Sequence, residues 1–194
     1  MCNFAPRMVY VDEKIYAFDL QKALLSISEQ RREQALRFKN EQGQRLCVSA
    51  YLLLKRALKD QEGITENPIF EFGPHGKPSI IGHPELHFSI SHCKEAAVCV
   101  LSRRPIGIDV ESIGRYREAV ARYSMSSAEM LRIEQAANSE LEFVRLWTMK
   151  ESLLKLTGEG INDNMKNVLK DIPENCFTTI ENFEKNYIYT ICEL

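Results

Sequence analysis

Apolar residues recur at helical spacing from about Glu41 to Lys59, where Leu46, Ala50, Leu53, Leu54, Ala57 and Leu58 form one stripe and Gly63 stands ready to end the helix. The same reading predicts a second long helix from Ser139 to Thr157, stopped at Gly158. Shorter helices are expected from about Ser28 to Phe38, Arg115 to Tyr123 and Ser127 to Asn138. Period-two alternation predicts a hairpin of Met8 to Val11 and Ile15 to Asp19 around Asp12-Glu13-Lys14. It predicts another of Cys176 to Phe183 and Tyr187 to Cys192 around Glu184-Lys185-Asn186. Between them lie a short strand, Ile69 to Phe72, and the turn Gly73-Pro74-His75-Gly76-Lys77-Pro78. Three closely spaced strands follow: Leu86 to Ser91, Ala96 to Leu101 and Ile106 to Glu111. Helices mixed with largely antiparallel strands define an α+β fold.

An internal echo divides the chain. At an offset of about one hundred positions, Arg45-Leu46 matches Arg145-Leu146, Leu53-Leu54-Lys55 matches Leu153-Leu154-Lys155, and Glu29 and Arg32 match Glu129 and Arg132. Chance reuse of common helix residues is the alternative. The echo predicts two similar α+β lobes, residues 1–102 and 103–194, arranged as a pseudo-dimer. Each lobe would pack a small, mostly antiparallel sheet on a long helix, with a site in the cleft between them.

With 25 basic against 27 acidic residues, the formal charge of −2 supplies no overall field to gather nucleic acid or an anionic membrane. Neither partner is expected, and anion binding must therefore be local. No apolar run reaches the length of a membrane span, and the first seven residues lack the apolar core of a signal peptide, so a cytoplasmic location is expected. The six cysteines contain no C-x-x-C pair. Cys47 and Cys99 read as small core fillers, and zinc through His87, His92 and Cys93 lacks a second ligand pair.

Two segments carry the chemistry. Ile106-Gly107-Ile108-Asp109-Val110-Glu111 reads as a buried strand with two carboxylates on one face. Trp147-Thr148-Met149-Lys150-Glu151-Ser152-Leu153-Leu154-Lys155 reads as a helix with Glu151 and Lys155 one turn apart and Lys150 beside them. Two carboxylates about 4 Å apart repel by roughly 4 kcal/mol at an effective dielectric near 20, and a third worsens this. A divalent cation offsets that cost, and magnesium suits an all-carboxylate set that also takes phosphate oxygens. Taken alone, the acids equally fit an exposed strand end paired with surface lysines, and Glu151 with Lys155 fits an ordinary helix ion pair. Gly76-Lys77-Pro78 adds a stiff turn that projects a cation, and Phe88-Ser89-Ile90-Ser91-His92 adds a strand ending in Ser91 and His92.

In this order the segments Gly-Lys-Pro, Phe-Ser-Ile-Ser-His, Gly-Ile-Asp-Val-Glu and Trp-Thr-Met-Lys-Glu-Ser-Leu-Leu-Lys closely resemble the 4′-phosphopantetheinyl transferases of the surfactin-synthetase-activating (Sfp) type. The resemblance runs from roughly Ser28 to Gly160. It implies transfer of the phosphopantetheine arm of coenzyme A to a serine of an apo acyl or peptidyl carrier protein, with release of 3′,5′-ADP. By motif position it implies that Asp109, Glu111 and Glu151 hold Mg²⁺, with Mn²⁺ an alternative. Glu151 is the implied general base, directly or through a metal-bound water, with Asp109 and Lys155 completing the catalytic set. The resemblance further assigns Lys150 and Lys155 to phosphate and the pantetheine end. Gly76, Lys77 and Pro78 would border adenine and phosphates, Ser91 the pyrophosphate, and His92, Arg31 and Arg45 the 3′-phosphate. Gln34 departs from the family, which often places a lysine there.

The implied carrier carries an acidic helix. Arg115, Tyr116, Arg117 and Arg122 are the expected docking residues, opposed in that stretch by Glu118 alone. An ordinary solvated helix is the alternative. A monomer is expected, because the small single-lobed synthases that share the acid–metal logic are trimers and this chain is longer. The rival functions are a metal-dependent nuclease, disfavoured by the acidic balance, and a coenzyme A- or carrier-binding module without catalysis.

Overall fold

The fold is that of a computed structural model describing residues 8–114 and 116–194. Its first half holds β1 (Val9–Asp12), α1 (Leu20–Ser26), α2 (Glu29–Leu36), α3 (Glu41–Glu62), β2 (Phe70–Phe72), β3 (Pro78–Ile80), β4 (His87–His92) and β5 (Ala97–Ser102). The second holds β6 (Gly107–Ser112), α4 (Glu118–Ser124), α5 (Ser127–Gln135), α6 (Ser139–Thr157), β7 (Phe177–Asn182) and β8 (Tyr187–Cys192). Short 3₁₀ turns at Met165–Asn167 and Glu174–Cys176 link α6 to β7.

Both halves solve the same packing problem in the same order. In each, the first strand pairs with the last, which pairs with the one before it, giving antiparallel sheets ordered β1-β5-β4 and β6-β8-β7. In each, a long helix covers one face of the sheet. The long helices start at Asn40 and Asn138, whose side chains accept from Gly43 N and Leu141 N, and they end at Gly63 and Gly158 with φ of 70° and 80°. The preceding short helices start at Ser28 and Ser126, again with side-chain caps. The caps thus repeat at a spacing of 98, not 100 (126 minus 28, and 138 minus 40), so the letter-for-letter echo in the sequence is out of register with the structural repeat.

Every residue of β5 but the last is buried, because the strand has no free face. Cys99 and Leu101 pack with Tyr51, Leu54 and Leu58 of α3. Val98 and Val100 turn the other way and meet Ile108, Val110, Tyr187 and Ile191 of the second sheet. The two sheets therefore share an apolar seam, and each long helix lies on an outer face. Alternation then fixes which residues of the first strands face their helices: Tyr10 and Asp12 toward α3, Asp109 and Glu111 toward α6. Asp12 accepts from Ser49 of α3 at 2.7 Å, and Asp109 meets Lys155 of α6.

Gly107 explains how closely β6 approaches α6. A Cβ at this position would stand 1.8 Å from the Ser152 carbonyl oxygen, so no larger residue fits without moving strand from helix. Ser89 closes the seam between sheets, accepting from Ile108 N at 3.0 Å.

One local expectation fails. Ile15–Asp19 is not the second arm of a hairpin, because β1 takes β5 as its partner and the Asp12 side chain accepts from Lys14 N, turning the chain away. Helix α1 and strand β3 were not anticipated; α1 is capped by Asp19 and buries Leu20, Ala23 and Leu24. Cys47 and Cys99 do fill the first core.

Candidate active site

The site begins with one buried carboxylate. Asp109 is 3% exposed, and its Oδ1 accepts from Ser91 Oγ at 2.8 Å and from Lys155 Nζ at 2.6 Å. Lys155 also donates to Ser91 Oγ at 2.8 Å, closing a triangle among β4, β6 and α6. Asp109 Oδ2 is buried and accepts no hydrogen bond from the described residues. A buried carboxylate oxygen without a partner is costly, and such orphans mark sites that await a ligand or ion.

Phe143, Trp147, Glu151 and Lys155 stand four residues apart along α6. Glu111, 8% exposed, joins Phe143, Val144 and Trp147 around one hollow, while Asp109 sits at the Lys155 end. Glu151 lies on the helix between these two points. Among the described residues, however, no three His, Cys, Asp or Glu side chains form a group that could hold a metal ion. The Lys155 ammonium takes up one Asp109 oxygen, so a cation of the protein's own already neutralises that acid. The donors present are hard carboxylate oxygens with one buried and unused, which fits a magnesium-type ion in chemistry.

A cleft of about 220 Å³ opens beside this point, lined by His75, Gly76, Lys77 and Pro78 on one side and by Glu151, Lys155, Gly158 and Gly160 on the other, with Phe88 and Ser89 also in its lining. Its lining comes from both halves of the chain. Gly76 takes φ of 83°, which only glycine accommodates readily, and so shapes the turn. Lys77 crosses the gap and donates to the Leu156 carbonyl at the C-terminal end of α6. Burial lowers its pKa.

His92 ends β4 with an exposed side chain. Burial of part of its surroundings lowers its pKa, and the charges of Lys155 and then Arg31 add to the effect. A backbone hydrogen bond and the Asp109 carboxylate pull the other way, more weakly. Arg31 itself is buried, donating through Nε and Nη2 to the Cys47 carbonyl at 3.1 and 2.6 Å and through Nη1 to Gln34 at 2.8 Å. Gln34 thus accepts from the arginine beside which the family often has a second cation.

Of the expected coenzyme A ligands, Gly76, Lys77, Pro78 and Lys155 line the cleft, whereas Arg31, Ser91, His92, Lys150 and Arg45 do not. Lys150 is fully buried and donates to the Met165 carbonyl at 2.7 Å and to Glu129 at 2.9 Å. It leaves α6 on a different side from Glu151, since successive helix residues diverge by about 100°. Arg45 is held by Glu41 and by the Phe18 carbonyl, both at 2.7 Å. Two contributors went unassigned from sequence: Ser89, which gave no signal, and Gly107, whose place two residues before Asp109 on the same face was the available clue.

Of the docking residues, Arg115 lies outside the described residues. Tyr116 packs edge-on against Phe143, Arg117 borders the Glu111 hollow, and Arg122 pairs with Glu118.

The family model of the 4′-phosphopantetheinyl transferase superfamily matches residues 105–192. This span holds Asp109, Glu111, Glu151 and Lys155. The chain is 28% identical to a 4′-phosphopantetheinyl transferase of Bacillus subtilis, over 95% of this chain and 89% of that protein. It is 27% identical to 4′-phosphopantetheinyl transferase Sfp of Bacillus subtilis (strain 168), over 79% of this chain and 70% of that one. Residues 105–192 are a domain of the 4′-phosphopantetheinyl transferase superfamily. A 4′-phosphopantetheinyl transferase of Aneurinibacillus migulanus, gsp, is 30% identical over 84% of this chain and 66% of its own. Residues 1–104 lie outside the superfamily match, yet they supply Ser91, His92, Lys77 and Arg31.

Proposed function

We propose that this protein transfers the 4′-phosphopantetheine of coenzyme A to the serine hydroxyl of an apo acyl or peptidyl carrier protein and releases 3′,5′-ADP. The observation that carries the reading is the triangle of Ser91, Asp109 and Lys155 beside a cleft lined from both halves of the chain, in a chain that carries a domain of this superfamily. Asp109, Glu111 and Glu151 would hold Mg²⁺ or Mn²⁺. That ion, when bound, neutralises charge on the diphosphate.

The chain's own groups do the rest. Glu151, at the cleft wall, accepts the proton of the carrier serine as its oxygen attacks the phosphorus that bears the pantetheine. The new serine–phosphorus bond forms as the bond to the bridging diphosphate oxygen breaks, and the electron pair leaves on 3′,5′-ADP. Lys155, freed from Asp109, places its ammonium on the charge that develops there. Ser91 donates to the same phosphate region. His92 with Arg31 favours the 3′-phosphate, and Lys77 with Gly76 and Pro78 borders the adenosine side.

The carrier docks on the α4 side through Tyr116, Arg117 and Arg122, with Arg115 in the same run. No described helix is long and apolar enough to cross a membrane, and both lobes come from one chain, so a cytoplasmic monomer completes the reading. The test is intact-mass measurement of a panel of apo carriers incubated with the protein, coenzyme A and Mg²⁺. A gain of one phosphopantetheine that disappears with chelator supports transfer. Coenzyme A binding without any mass gain across the panel would instead favour a binding module.

A further inference from the structure

We infer that Lys150 is a positioning residue, which ties the segment after α6 to the helix and so sets the Gly158–Gly160 wall of the cleft, instead of touching phosphate. This rests on the proposed coenzyme A site. Lys150 Nζ has no solvent exposure and reaches Met165 O and Glu129 Oε1, on the opposite side of α6 from Asp109. Met165 is itself fully buried and opens the 3₁₀ turn that ends the segment leaving the helix at Gly158. Gly158 and Gly160 of that segment line the cleft, and both have positive φ.

Glu129 is engaged twice. As the third residue of α5 it accepts from Ser126 N at 2.6 Å and completes the capping box, while its other oxygen holds Lys150. The helix start of α5, the core of α6 and the strap from residue 158 to 165 therefore meet at one ammonium group. A buried lysine held by a carboxylate and a carbonyl has two of its three donors used and no route to a ligand without breaking the pair. Among the described residues the strap's other side-chain ties are Asn162 to the Gly160 carbonyl and Asn164 N to Asn162, both within the segment, and an exposed bond from Tyr123 of α4 to Asp163 at 3.1 Å.

The experiment compares Glu129→Gln, Lys150→Met and the double variant Lys150→Met with Glu129→Leu, reading coenzyme A affinity by calorimetry and strap amide exchange by mass spectrometry. Glu129 lies on α5 and does not line the cleft, so Glu129→Gln loosens the tether without removing a group from the cleft. A positioning role predicts that Glu129→Gln alone weakens coenzyme A about threefold to tenfold and speeds exchange over residues 159–167. It also predicts that the double variant, which leaves no buried charge unpaired, is no worse than Lys150→Met. If Glu129→Gln binds coenzyme A like the parent with the strap equally protected, while the double variant binds at least tenfold more weakly, Lys150 is a ligand and the inference fails. Should the parent protein not bind coenzyme A at all, the proposed function falls, while the exchange pattern still decides the strap.

Discussion

Lys155 Nζ stands 2.6 Å from Asp109 Oδ1, and the other oxygen of the same carboxylate is buried with no hydrogen bond from the described residues. One acid thus carries both a resident cation and an unused donor. On the proposed reading a divalent cation would displace this lysine, and its ammonium would then reach the diphosphate. Metal entry and phosphate binding would be coupled through one side chain, which must differ in its contacts between the two states for the coupling to exist.

Lys155→Met removes this competitor while keeping the length of the stem. It should tighten Mn²⁺ binding in the absence of coenzyme A by at least about tenfold, because an ammonium beside a carboxylate is worth a few kcal/mol even at a high effective dielectric. The same change should lower transfer by about 100-fold or more. Mn²⁺ affinity by electron paramagnetic resonance separates the two effects, and unchanged or weaker Mn²⁺ binding would contradict the placeholder role.

Gly107→Ala should destabilise the protein by about 3 kcal/mol or more, beyond the usual overpacking cost, because the added Cβ meets backbone 1.8 Å away. Thermal unfolding measures it. An unchanged Tm would mean that β6 and α6 do not lie as close as described.

His92 sets a pH dependence. Its pKa is lowered in the folded protein, by burial first and by Lys155 and Arg31 after it, so the unfolded chain binds more protons around and below the ordinary imidazole value. The stability that His92 contributes is therefore present above about pH 6.5 and is lost as pH falls through its folded pKa. His92→Gln should flatten the fall in stability below neutrality. Binding of 3′,5′-ADP should reverse the shift and take up a proton near pH 6.5, seen as a buffer-dependent binding enthalpy; a buffer-independent enthalpy at that pH would remove His92 from the phosphate site.

Arg117→Glu should raise the KM for the carrier about tenfold and leave that for coenzyme A alone, since a reversed charge at a rim acts on encounter with an acidic partner. Steady-state kinetics on both substrates decides. An unchanged carrier KM would remove docking from the α4 side.

Much of this arrangement is legible in the residues because local rules and burial agree. Gly158 ends α6 in sequence as it does in structure, and Gly107, Asp109 and Glu111 share a face by strand alternation alone. What the sequence hid were choices between partners. Ile15 is buried as an apolar alternating pattern predicts, yet it joins no strand, because β1 pairs with a strand some ninety residues onward. Lys150 and Glu151 are neighbours in a motif, but adjacent helix positions point apart, and only the placement of Glu129 and Met165 decides where the lysine goes. Ser89 reads as an ordinary strand serine until the second sheet arrives against it.

The central claim is that Asp109, Glu111 and Glu151 share one divalent ion that grips the diphosphate. Anomalous diffraction from crystals grown with Mn²⁺ and coenzyme A tests it most directly. The account predicts a single manganese peak within bonding distance of all three carboxylates and of a diphosphate oxygen, with Lys155 moved from Asp109 onto phosphate. Ordered coenzyme A with Lys155 still on Asp109 and no manganese among the three acids would contradict it.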